Sequence, residues 1–297
     1  MNSEFSEGMV SVMIPVFNRT EYIAETLESI YSQTYKNIEI IAIDDGSTDG
    51  SFEYLELQRD AGKIQLITHE NRVNKGQSAA LNLGLEKAKG QYIAILDSDD
   101  VFEVDKLQLQ VEFLSNNPGF GLVYGNATAT NANGEYIYDI KGKFDPDPND
   151  PNQILLDCYY SLPSNSLVSR ECYVTTGGFN ELYRASQDHD MLIRLCEVTN
   201  VGFIPQKMFK YRKHEGSISQ SSLLKRWSAG FKILNAAKAR YPYKGSTIRK
   251  RRAVLHFRMF EVYSAHNADR NLLKGILHLL YAGSLDPIRA TKHLFGK

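Results

Sequence analysis

The chain of 297 residues is 42% hydrophobic and 23% charged, a composition that supports a buried core and excludes disordered, fibrous and disulfide-scaffold classes. Its net charge of −1 hides an asymmetry: residues 222–297 hold sixteen Lys and Arg against three Asp and Glu, leaving eighteen basic and 32 acidic residues before them. No stretch is apolar over the length that a transmembrane helix needs.

Residues 1–9 are acidic and polar and lack the basic and apolar regions of a signal peptide. Residues 10–18 read as a strand broken by Pro15, and residues 21–32 as a helix with Ile23, Leu27, Ile30 and Tyr31 on one face. Residues 38–43 predict a second strand that ends in Asp44-Asp45-Gly46-Ser47-Thr48-Asp49-Gly50, where Gly, Ser and Asp supply turns and a helix cap. A helix over 52–60, a strand over 64–68, a loop over 71–76 and an amphipathic helix over 78–89 follow. The alternation predicts an α/β fold, with a parallel sheet covered by helices through right-handed crossovers.

Residues 91–96 are apolar on both side-chain parities, which suits a strand buried on both faces. The run ends in Asp97-Ser98-Asp99-Asp100. In open α/β sheets ligands bind outside the carboxyl ends of the strands, which is where these acids fall. Three close carboxylates repel, and burying them unpaired is costly. A hard divalent cation, Mn²⁺ or Mg²⁺, resolves the conflict by sharing carboxylate and substrate phosphate oxygens. The plainer alternative is a solvated acidic turn with Asp100 capping the next helix.

Beyond this point a helix is predicted over 106–114, a strand over 121–125, and a hairpin turn at Asn131-Ala132-Asn133-Gly134. The three prolines of 145–151 predict an exposed loop, and 163–169 a strand. A short helix over 171–176 precedes Gly177-Gly178-Phe179, residues 188–198 predict a helix, and 203–211 a last strand. Cys158, Cys172 and Cys196 have no metal-site spacing, so reduced thiols in a cytoplasmic protein are expected.

Several segments in this order resemble a family 2 glycosyltransferase of the GT-A fold. They are Val12-Met13-Ile14-Pro15-Val16-Phe17-Asn18-Arg19, Asp44 to Asp49, Asn74-Lys75-Gly76 with Ala79 to Asn82, and Gly90-Gln91-Tyr92-Ile93 with Asp97 to Asp100. Gly177-Gly178-Phe179, Gln187-Asp188-His189-Asp190, and Tyr211 to Ser219 complete the set. The resemblance implies a Rossmann-like, mainly parallel sheet flanked by helices over residues 1–221, with residues 222–297 a basic helical extension outside it.

It further implies inverting transfer of a sugar from a nucleotide-diphosphate donor, a UDP-sugar foremost, to a glycan or lipid-linked acceptor hydroxyl in surface polysaccharide or glycolipid synthesis. Asp99 would hold the cation, with Asp97 beside it or on the ribose or sugar, and His214 as a third metal ligand. Pro15, Phe17, Asn18, Asp45, Lys75, Ser98 and Arg212 would line the donor: Asp45 and Phe17 at the base, Lys75 and Arg212 toward the diphosphate. Phe17 also fits plain core packing, Lys75 a surface lysine, and Asp44 and Asp49 fit turn and cap roles. Asp188 would be the base that takes the acceptor's proton. An N-cap is the other role for an Asp at that place. The family usually has Glu where this chain has Gln187, which bears on the acceptor.

The tail places Leu223, Leu224, Trp227, Phe231, Ile233 and Leu234 among Lys225, Arg226 and Lys232, then Arg249-Lys250-Arg251-Arg252 ahead of another apolar helix. Residues 271–282 and 287–295 predict two more helices. Basic helices suit an anionic membrane surface, and equally a helical subdomain with solvated charges. No nucleic-acid module is present. A catalytically silent sugar-nucleotide or glycan-binding module and a nucleotidyltransferase are the competing readings. A Rossmann oxidoreductase is excluded, because the first strand-to-helix turn, residues 15–20, contains no glycine.

Overall fold

The computed structural model describes residues 5–141, 149–156, 163–214, 223–265 and 270–288. The chain forms two compact units, one of residues 1–149 and 159–214, the other of residues 150–158 and 215–297.

The first unit is a mixed sheet flanked by helices. Four parallel strands start it: β1 (Ser6–Val16), β2 (Ile38–Asp44), β3 (Gln65–Thr68) and β4 (Gly90–Ile95). They are joined through α1 (Ile23–Tyr31), α2 (Ser51–Asp60) and α3 (Gln77–Lys87). Val12, Met13 and Ile14 are all fully buried, so both faces of β1 are covered, as its unbroken apolar run requires. After β5 (Val101–Phe102) and α4 (Lys106–Asn116), the chain adds β6 (Phe120–Thr130), the hairpin partner β7 (Tyr136–Ile140) and β8 (Leu167–Ser169). Helices α6 (Arg170–Thr176) and α7 (Gln187–Cys196) lead to β9 (Asn200–Arg212). The strand order is β3-β2-β1-β4-β8-β6-β9-β5, with β7 on β6. Strand β8 is antiparallel to both β4 and β6, while β6 and β9 are parallel.

Three local readings of the sequence are corrected here. Pro15 does not break β1. The Met13 carbonyl accepts from Leu96 N–H, so the Pro15 nitrogen points toward β4, beyond the last β1–β4 pair, where no donor is needed. Residues 163–166 are loop, and only Leu167–Ser169 is strand. Pro151 opens a helix, α5 (Pro151–Leu156), because proline suits a first helical position and Asp150 Oδ1 accepts the Asn152 N–H at 2.9 Å. The rest of the expected 145–151 loop, up to 148, lies outside the described residues.

The second unit is helical: α5, α8 (Leu223–Arg240), α9 (Gly245–Ser264) and α10 (Leu272–Leu285). Helix α9 is central and packs against each of the others. Gly230 lets α8 approach closely, since a Cβ there would lie 2.6 Å from Leu255 Cδ2. The basic run of α9 divides by helical phase. Arg251 is buried and donates to the Leu156 carbonyl at 3.2 Å, whereas Arg249 and Lys250 are exposed. Of the last expected helix, 287–295, all but 287–288 lies outside the described residues.

Candidate active site

The carboxyl ends of β1, β2 and β4 bring their loops to one end of the sheet. Beyond β1, Phe17 is 44% exposed, so it is not the packed core residue that its type alone allows. Asn18 adopts a left-handed φ of 52°. Its N–H donates to Ser47 Oγ (3.0 Å) and its Oδ1 accepts from Thr48 N–H (2.8 Å), which stitches the β1 and β2 loops together. Asp45 is buried, and its two oxygens accept the backbone N–H groups of Lys75 and Gly76, each at 2.8 Å. That clamp draws the 74–76 loop over the end of β2, with the Lys75 side chain exposed. Asp44 caps the turn by accepting from Gly46 and Ser47, and Asp49 accepts from Thr20 and Ser51, the turn and cap roles open to them.

The acidic turn after β4 divides its carboxylates by partner. Asp97 Oδ1 accepts from Gln77 Nε2 at 2.9 Å, and Asp97 N–H donates to Ser164 Oγ at 3.1 Å. Burial, reinforced by the charges of Asp99 and Asp188, pushes its carboxyl up to about 7. Ser98 is buried, its carbonyl accepting from Thr26 Oγ1 of α1 (3.2 Å). Asp99 Oδ2 meets Arg19 Nε at 3.2 Å and His214 Nε2 at 2.9 Å. Asp100 faces inward, accepting the Arg212 N–H at 3.0 Å, and burial first, then Asp97 and Asp99, hold its carboxyl well above the usual range.

Arg212 is buried, and protein groups engage its guanidinium: Nε donates to the Asp99 carbonyl (2.9 Å), Nη1 to the Ala132 carbonyl (2.8 Å), and Nη2 to Glu25. It ties the acidic turn to the β6–β7 hairpin. His214 packs its ring against Tyr22, 4.8 Å between centroids.

Asp188 sits in the first turn of α7, where Ser186, not Asp188, is the cap residue. Its Oδ1 accepts the neighbouring His189 N–H at 2.8 Å. Gln187 Nε2 donates to Gln77 Oε1 at 2.6 Å, so a relay of amides runs from α7 through Gln77 to Asp97. A carboxylate in place of Gln187 has no proton for this bond. A small, partly open cavity is lined by Gln77, Leu81, Asp97, Pro163, Phe179, Gln187 and Asp188. Its floor at Phe179 is set by Asn82, whose side chain donates to the Phe179 carbonyl (2.9 Å) and accepts its N–H (2.7 Å). Asp190 forms a buried pair with Arg194 at 2.7 Å and stays out of the cavity lining.

Three residues here escaped the sequence reading. Arg19 ends a motif already singled out, and its adjacency to Asn18 is the one signal it carries. Gln77 has no charge to mark it, whereas the sequence singles out Gln187 but not its bond to Gln77. Ser164 belongs to a loop held by a buried network in which Lys106 Nζ donates to Gln110 Oε1 (2.7 Å) and Gln110 Nε2 to the Asn165 carbonyl (2.8 Å). Such a network has no sequence periodicity. Among the described residues, no three His, Cys, Asp or Glu converge as a ready-made metal cage.

The family model "Glycosyl transferase family 2" matches residues 11–174. The chain belongs to glycosyl transferase family 2. The chain is 35% identical over 208 residues to an uncharacterized glycosyltransferase of Rickettsia felis, covering 70% of this chain and 33% of that one. It is 30% identical over 191 residues to the amylovoran biosynthesis glycosyltransferase AmsB of Erwinia amylovora, covering 62% of each. The chain thus spans about a third of the length of the Rickettsia relative. Among solved structures it is similar to S. aureus TarS 1-349 in complex with UDP-GlcNAc, with a TM-score of 0.71, 17% identity, and coverage of 95% of this chain and 82% of that one. It is also similar to the mannosyltransferase PcManGT of Pyrobaculum calidifontis in complex with GDP-Man and Mn²⁺, with a TM-score of 0.62, 18% identity, and coverage of 96% and 78%. Both likenesses establish the GT-A architecture of the sheet and its helices.

Proposed function

We propose that the protein transfers a sugar, with inversion, from a UDP-sugar to an acceptor hydroxyl in the synthesis of a cell-surface polysaccharide or glycolipid. The observation that carries this reading is that Asp97 and Asp188, far apart in the first unit's sequence, line one cavity. One carboxylate lies on the donor side, and the other is available to an acceptor. The UDP-GlcNAc held by TarS supports the donor class, and the part of AmsB in amylovoran biosynthesis supports the polysaccharide.

Donor binding divides along the strand ends. Pro15, Phe17, Asn18 and Asp45 take the nucleoside, with the exposed Phe17 ring offering a face to the base. Lys75 and Arg212 serve the diphosphate side, Lys75 with its charge and Arg212 by holding the acidic turn in place. Ser98 and Asp97 take the ribose and sugar. Asp188 receives the acceptor proton. It does so from the first turn of α7, where a helix N-terminus stabilises a carboxylate.

The acidic turn fits a divalent cation, Mn²⁺ or Mg²⁺. Asp99 and His214 converge, Asp97 is two residues away, and burial, reinforced by the Asp99 and Asp188 charges, drives Asp97 toward protonation, a tension that a cation would relieve. Mn²⁺ and Mg²⁺ are ordinarily held by one or two carboxylates with substrate phosphates completing the shell, so a full protein cage is not required. The Mn²⁺ in PcManGT supports the same class of ion. When bound, such an ion neutralises charge developing on the leaving diphosphate. The buried thiols of Cys172 and Cys196 fit a cytoplasmic site of action.

The test is nucleotide release from UDP-, GDP- and dTDP-sugars with and without Mn²⁺ or Mg²⁺, beside Asp99→Ala and Asp188→Ala. Release of nucleoside diphosphate from one donor, abolished by chelation and by Asp99→Ala, is expected. Pyrophosphate as product would make the protein a nucleotidyltransferase. If calorimetry shows no binding of any nucleoside diphosphate with metal, the donor reading fails.

A further inference from the structure

Among the described residues, most of the apolar surface of helix α10 is uncovered. Gly275 and Ala282 are buried, on the side that packs against α9. At 100° per residue, Leu272, Leu273, Ile276, Leu277, Leu280 and Tyr281 span the other half of the helix circumference, with Tyr281 at its edge, where the ring also stacks on His256 of α9 (5.2 Å between centroids). They are between 50 and 72% exposed, and no charged residue interrupts that arc. Lys274 flanks it, with its ammonium over the Tyr263 ring. Soluble surfaces rarely carry contiguous apolar patches beyond a few hundred Å², and six such side chains on one helix face reach that scale.

Charge decides between the surfaces that would cover it. The helical part of the chain, residues 222–297, carries sixteen basic against three acidic residues, and Lys225, Lys232, Arg249, Lys250, Arg270 and Lys274 are exposed there. Two copies of such a unit meeting face to face would set like charges against each other. An anionic bilayer takes the apolar arc into its acyl boundary and the basic groups at its headgroups. Helix α10 spans about 21 Å at 1.5 Å per residue, short of a bilayer's hydrocarbon thickness of about 30 Å. No helix among the described residues is long and apolar enough to cross a membrane.

We propose that α10 lies in the plane of an anionic membrane surface, with Leu272, Leu273, Ile276, Leu277, Leu280 and Tyr281 inserted and the basic residues of the helical unit at the lipid headgroups. This inference is independent of the donor reading, because it rests on the second unit alone. A GT-A domain tethered in this way works beside lipid-linked acceptors without spanning the membrane.

The test is flotation of the full chain with vesicles of phosphatidylcholine alone and of phosphatidylcholine mixed with phosphatidylglycerol. Binding to the mixed vesicles only, weakened by salt, is expected. A Leu273→Glu/Leu277→Glu/Leu280→Glu variant, altered only at exposed positions and so expected to keep its circular dichroism, should lose at least about tenfold in vesicle partition. An Arg249→Glu/Lys250→Glu variant, which leaves α10 untouched, should lose binding to the mixed vesicles as well. The proposal is overturned by absence of binding at low salt, or by triple-variant binding equal to the parent's. It is overturned too by a concentration-dependent dimer without vesicle binding, abolished by the same triple variant, which would assign the face to a second copy.

Discussion

His214 Nε2 lies 2.9 Å from Asp99 Oδ2, joining the loop after β9 to the turn after β4, two segments 115 residues apart. Arg19 reaches the same oxygen at 3.2 Å. Asp99 is thus held by one permanent cation and one titratable ring, and a divalent ion would compete with both for its lone pairs. His214→Ala is expected to weaken Mn²⁺ affinity by about 10–100-fold in the presence of UDP. Calorimetric titration with Mn²⁺ checks this, and an unchanged affinity would remove His214 from the metal site.

Asp188→Asn keeps the size of the side chain and its place in α7 while removing its basicity. Transfer to an acceptor is expected to fall by about 10²–10⁴-fold, with donor affinity unchanged. Pre-steady-state product formation, measured beside UDP-sugar binding, separates the two. A parallel loss of donor affinity would point to a binding role.

Gly46 joins the turn after β2 to the 70–74 segment. It has a φ of +85°, and a Cβ there would lie 2.5 Å from the Arg72 carbonyl oxygen. Gly46→Ala therefore combines backbone strain with a backbone clash, and is expected to cost about 1–3 kcal/mol. Urea unfolding followed by circular dichroism measures it. A midpoint equal to the parent's would show that the turn relaxes freely.

The helical unit contains a second titrating element, His256 Nδ1 at 2.9 Å from His278 Nδ1. Burial, then the charges of His278 and Arg252, push His256 from 6.5 down to about 4. Between those values the unfolded chain binds the proton and the folded chain does not. The neutral pair's contribution is therefore complete above pH 6.5 and lost as pH falls toward 4. Both rings are partly exposed, so the effect is on the order of 1 kcal/mol. The stability difference between parent and His256→Phe, measured by urea unfolding across this range, should shift in favour of the variant as pH falls. A constant difference would refute the account.

Much of the fold was legible from periodicity. Residues 10–16, 38–43 and 91–95 are apolar runs that became β1, β2 and β4, because a strand buried on both faces needs no polar alternation. The departures occur where context overrides pattern. Pro15 stays in its strand because its nitrogen points past the end of the β4 ladder. Pro151 starts a helix because Asp150 caps it. Leu167–Ser169 is too short to be marked off from its flanking loop by alternation alone.

Chemistry carried by charge and order could be read along the chain: the acids after β4, Asp188 at the head of a helix, and the basic tail. The relations among these groups could not. Only folding sets Gln187 against Gln77 and Gln77 against Asp97, surrounds the Arg212 guanidinium with the Asp99 and Ala132 carbonyls and Glu25, and divides the α9 basic run into buried Arg251 and exposed Arg249 and Lys250. The sequence by itself determined which residue types are available and where strands and helices place them. Tertiary structure decided which of them face one another, because hydrogen bonds and desolvation depend on distances of a few Å between segments separated by up to 187 residues, and no local pattern encodes those distances.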